Sequence, residues 1–105
     1  MTEVKFLAGK SGIYGFYISG HSSVNCDDIE GKIVCSAVSS AAYMTANTIT
    51  EIIGDEIEAQ VDDALMFVKV ISPSAKSSAV LEGFRLHIEQ LSSQYNDRIS
   101  IISEV

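Results

Sequence analysis

Residues 20–42, GHSSVNCDDIEGKIVCSAVSSAA, mark the place where the chain changes its hydrophobic period. Upstream, residues 2–8 and 13–19 (IYGFYIS) alternate loosely, as half-buried strands do, and Gly9-Lys10-Ser11-Gly12 between them is turn chemistry. Downstream of Lys32, Val34, Val38, Ala41 or Ala42, Thr45, Ile49 and Ile52 recur at helical spacing until Gly54-Asp55. The polar segment 22–32, lacking apolar periodicity, is expected to be a long loop. The expected helix, residues 33–53, opens on small residues (Ser36, Ala37, Ser39, Ser40, Ala41, Ala42), so it can lie close to a sheet.

Further out, residues 57–61 and 64–71 flank Asp62-Asp63 as a second hairpin. Ser72-Pro73 is expected to start a second helix, with proline in the first turn. Val80, Leu81, Phe84, Ile88 and Leu91 would form its buried stripe, and residues 98–103 (RISIIS) a last strand. The order β-β-α-β-β-α-β predicts an α+β two-layer sandwich: one mostly antiparallel sheet with two helices on one face.

With 105 residues the chain is expected to be a single domain spanning 1–105. A formal charge of −7 argues against nucleic acid as a partner and suits a basic peptide. No run approaches the roughly 18 apolar residues of a membrane span, and MTEVKFLAGK has no signal-peptide features. A cytoplasmic setting with reduced thiols is therefore expected. Two cysteines without CxxC spacing make no redox motif, and a Cys26–Cys35 disulfide is the weaker reading.

On this frame Gly20-His21 ends the second strand and Cys35 falls in the first turn of the first helix. A thiol there meets the positive end of the helix dipole and unsatisfied amides, which favour thiolate. His21 could accept its proton and return it to a leaving amine, while amides near Cys35 and Ser36 could bind an oxyanion. The competing reading makes Cys35 a small buried hydrophobe, the usual fate of a cysteine in a helix. A metal site from His21, Cys26 and Cys35 matches no common zinc spacing, so no metal and no cofactor are expected. Cys26 reads as a loop thiol, His87 as a boundary residue, the helix serines as packing residues and Asp62-Asp63 as a turn.

The succession GH, polar loop, IVCSAVSSAA resembles the ribosomal-processing cysteine protease (Prp) family, with the specific likeness confined to Gly20-His21 and residues 33–39. The resemblance implies a cysteine endopeptidase that trims the N-terminal extension of a bacterial large-subunit ribosomal protein, with Cys35 as nucleophile and His21 as acid/base. It also implies a homodimer acting on a basic N-terminal peptide. Ser36, Gly20 and Gly31 are the expected substrate or oxyanion contacts, and Asp27 or Asp28 the orienting acid. Two departures stand out: Lys32 replaces an acidic residue before IVC, and the loop between His21 and Cys35 is longer than usual. The rival is a non-catalytic module of the same fold that binds a ribosomal peptide.

Overall fold

The computed structural model describes residues 1–20 and 28–104. Strands β1 (Thr2–Gly9) and β2 (Gly12–Ser19) form the first hairpin, helix α1 covers Ile29–Asn47, and a π-helical turn follows at Thr48–Ile53. Strands β3 (Ile57–Asp62) and β4 (Leu65–Val70) form the second hairpin, before helix α2 (Ala75–Gln94) and strand β5 (Ile99–Glu104). The sheet order is β3-β4-β2-β1-β5. Every neighbouring pair is antiparallel except β1 with β5. The expected architecture is the observed one.

Strand alternation decides which face is covered. Val4, Phe6, Phe16, Met66, Val68 and Val70 are buried on one face with Val34, Val38, Ala42, Leu81, Phe84 and Ile88 of the helices. Phe84 is the centrepiece: its ring lies 4.6 Å from Phe16 and 5.8 Å from Phe6. On the open face, Tyr17 and Phe67 meet edge to face at 6.3 Å.

Four local readings need correction. Helix α1 begins at Ile29, four residues before the expected Ile33. Asp28 caps it by accepting from the Gly31 amide at 3.1 Å, so the last four residues of the expected loop, 29–32, are helix, while 22–27 lie outside the described residues. The pattern misled because Ile29 and Ile33 are 72% and 52% exposed whereas Gly31 is buried. Helix α2 is capped by Ser74, which leaves Pro73 outside its first turn. The π turn buries Ile49 completely but turns Ile52 outward, 80% exposed. Of the small residues expected to bring α1 close to the sheet, Ala42 is fully buried and Ala41 packs partly buried against the core, whereas Ala37 lines a cleft between α1 and α2.

The junction before α2 explains its start. One oxygen of Asp55, Oδ2, accepts from the Ser74 amide (3.1 Å), the Ser74 hydroxyl (2.7 Å) and the Ser77 hydroxyl (2.6 Å). These donors, Ser77 first, hold the carboxyl below its ordinary range. A carboxyl depressed by folding stabilises the native state above its unfolded pKa, and that contribution is lost as pH falls through the folded pKa. Between about pH 5 and pH 2 the thermal midpoint of an Asp55→Asn chain is therefore expected to fall less steeply than the parent's. Parallel slopes in calorimetry would refute this.

Candidate active site

The ends of four strands and one face of α1 border a pocket of about 140 Å³. Cys35, a half-buried thiol, contributes with Val38, Ser39 and Tyr43 from α1. Their spacing follows helical geometry, since residues three and four apart stack on one face. The opposite wall is Thr2 of β1, Ile18 of β2 with the following Gly20, and Val61 to Met66 around the β3–β4 turn, without Asp63. Such a volume is about that of an apolar cavity that takes a benzene ring.

Sheet pairing brings these walls together. Ser19 stands opposite Leu65, and the Gly20 amide donates to the Ala64 carbonyl at 3.0 Å. Gly20 has φ +84, and a Cβ there would lie 2.5 Å from the Met1 carbonyl oxygen. Only glycine fits this turn. The residue just before His21 and the thiol of Cys35 thus border the same pocket, as the sequence order implies.

The thiol's helical position differs from expectation. Because α1 starts at Ile29, Cys35 is its seventh residue and lies in the second turn. The dipole argument, confined to the first turn, loses its footing. The amides of the three residues expected as substrate or oxyanion contacts are likewise engaged. That of Gly31 donates to Asp28, that of Gly20 to Ala64, and Ser36 lies inside the helical ladder. Asp28 serves the helix: Oδ1 caps it and Oδ2 pairs with Arg98. His21, Asp27 and Cys26 lie outside the described residues.

Arg98 was not foreseen. Its guanidinium pairs with Asp28 and reaches Glu30 at 3.5 Å, and its carbonyl accepts from the Thr2 amide at 2.9 Å. The bond to Asp28 and the adjacent carboxylates raise its pKa above the ordinary arginine value. One residue therefore anchors both the start of α1 and the Thr2 wall. Tyr43 and Ser39 also line the pocket, although Ser39 reads from the sequence as a packing residue, and Asp62 is the last residue of β3 and a pocket residue, the turn being Asp63-Ala64 rather than Asp62-Asp63. The one available signal was spacing: Ser39 lies four residues and Tyr43 eight after Cys35, one and two turns along the same face.

Among the described residues no helix is long and apolar enough to cross a membrane. No curated protein matches the sequence. Solved structures do match in fold. A ribosomal processing protease Prp from S. aureus, in complex with a covalently linked product peptide, superposes with TM-score 0.87 at 15% identity, covering 99% of this chain and 100% of that one. The same S. aureus protease with a substrate peptide gives 0.88 at 14% identity over 99% and 100%. SMU.848 from Streptococcus mutans gives 0.83 at 20% identity over 99% and 96%. The sequence model for the family described as cysteine protease Prp matches residues 1–100, and on that match the chain belongs to this family.

Proposed function

We propose that the protein is a cysteine endopeptidase that removes the N-terminal extension of a bacterial large-subunit ribosomal protein. The observation that carries this reading is the shared pocket of Cys35 and Gly20, the residue preceding His21. In the proposed cycle His21 takes the thiol proton and Cys35 sulfur attacks the scissile carbonyl carbon. Collapse of the tetrahedral intermediate expels the amine, which takes the proton from His21, and leaves a thioester. Water, deprotonated by His21, then cleaves the thioester and restores the thiol. The S. aureus relative with a covalently linked product peptide accords with such a route.

The engaged amides require other oxyanion donors. In this reading the hydroxyls of Ser39 and Tyr43, which border the pocket, take that part. Asp28 acts as a positioning residue through the start of α1, and Asp27 remains the candidate orienting acid. The reading includes a homodimer and a cytoplasmic setting, as the resemblance implies.

A second reading draws on the same engaged amides: a peptide-binding module of this fold that does not cut. Thiol reactivity separates the two. Iodoacetamide at neutral pH is expected to label Cys35 well ahead of Cys26, followed by peptide mapping. Equal rates, or faster labelling of Cys26, would favour the module.

A further inference from the structure

β3 is an edge of the sheet: among the described residues its one strand neighbour is β4. Its register fixes which main-chain groups are left over. Glu56 stands opposite Ile71 and accepts its amide at 3.0 Å, so 56, 58, 60 and 62 point their backbone groups toward β4. Those of Ile57, Ala59 and Val61 point away from the sheet. The strand is exposed from Glu58 through Asp62.

The charge of this edge is one-sided. Residues 33–68 hold Glu51, Asp55, Glu56, Glu58, Asp62 and Asp63 and no Lys, Arg or His. Glu58 and Asp62 project from the open face of the sheet, and Lys69, opposite Glu58, offsets one charge. Two copies of this edge would meet with like charges, which disfavours a second copy of the chain as occupant. A cationic strand has the opposite balance.

The edge also leads to the pocket. Val61 and Asp62, at the end of β3, line the cavity that holds Cys35. Resting on the peptidase reading, we propose that the outer edge of β3 docks an extended, cationic segment of the peptide substrate. Residues 57, 59 and 61 supply main-chain pairing, while Glu58 and Asp62 receive Lys or Arg side chains. Four steps at ~3.3 Å carry the peptide about 13 Å along β3 to the pocket.

The test measures binding rather than cleavage, so it stands apart from the proposed chemistry. The Cys35→Ala chain is titrated, by fluorescence anisotropy, with a labelled peptide of about eight residues alternating Lys and Val, long enough to span the edge. Two further probes carry backbone N-methyl groups at alternate residues, offset from one another by one position. Strand addition predicts that one N-methylated probe binds about tenfold more weakly or worse, while the other binds nearly as the parent does. Ala59→Pro, which removes an outward N–H and keeps the β4 ladder, should weaken the unmethylated probe similarly. Equal binding of both N-methylated probes would overturn the proposal, as would failure of the parent probe to bind or self-association of the chain through this edge. A chain that binds in this way yet cuts nothing would sink only the peptidase reading.

Discussion

A Cys35→Ala chain is expected to fold as the parent does and to lose cleavage by a factor on the order of 10⁴ or more. The side chain is half buried and stands against a pocket, so its loss opens no sealed cavity and costs little packing. The chemistry has no substitute for it. In the proposed cycle no thioester forms without the sulfur, and His21 and any oxyanion donors would be left to act on water alone. The measurement is mass spectrometry of the host's own ribosomal protein precursor, incubated with each chain. A shortened N-terminus appearing at similar rates with both chains would remove Cys35 from the mechanism. Cys26→Ser is the matched control and is expected to retain most of the activity.

Gly20→Ala is expected to be the most damaging single methyl group that can be added near the site. An alanine at φ +84 carries a conformational cost of about 1–2 kcal/mol. Its Cβ would also stand 2.5 Å from the Met1 carbonyl oxygen, so backbone has to move. A total loss of at least about 2 kcal/mol is expected in denaturant unfolding. On the proposed dyad, turnover should fall further than stability accounts for, because the backbone strain falls on the residue that precedes His21 in sequence. Gly12→Ala supplies the comparison. It too sits at positive φ, +110, but nothing lies within 4 Å of the added Cβ. It should show the conformational cost alone and keep normal kcat/KM. Equal effects of the two substitutions on kcat/KM would show that Gly20 has no special tie to catalysis.

Much of this was legible because alternation and helical spacing are local signals. The strand and helix order, the sheet-facing residues of α2, and the meeting of Gly20 with Cys35 all followed from period and topology. Two of the misreadings involve polar contacts that reach between segments distant in sequence. Asp28 starts α1 early with Arg98 beside it, seventy positions away. Asp55 sets the start of α2 from nineteen residues upstream of Ser74. Hydrophobic patterning carries no trace of either. The π turn was hidden differently. Thr45, Thr48 and Thr50 donate their hydroxyls back to carbonyls four residues earlier, and the shifted ladder turns Ile52 outward while keeping Ile49 inside. Isoleucines spaced for one α-helical face gave no hint of that shift.

The parallel pairing of β1 with β5 has a bearing on how an active molecule comes into being. Thr2 is matched with Ile99, so the first and last strands must find each other across nearly the whole chain. Contacts of such separation close late and slow the search for the native state. Arg98 belongs to that late step, and with it come the anchor of the α1 start and one wall of the pocket. On a ribosome the β1–β2 hairpin, α1 and the β3–β4 hairpin emerge while the residues that fasten them are still to be made. Completion of the pocket is thus deferred until β5 has been made, and until then a nascent chain carries the Cys35 thiol beside an unfinished wall.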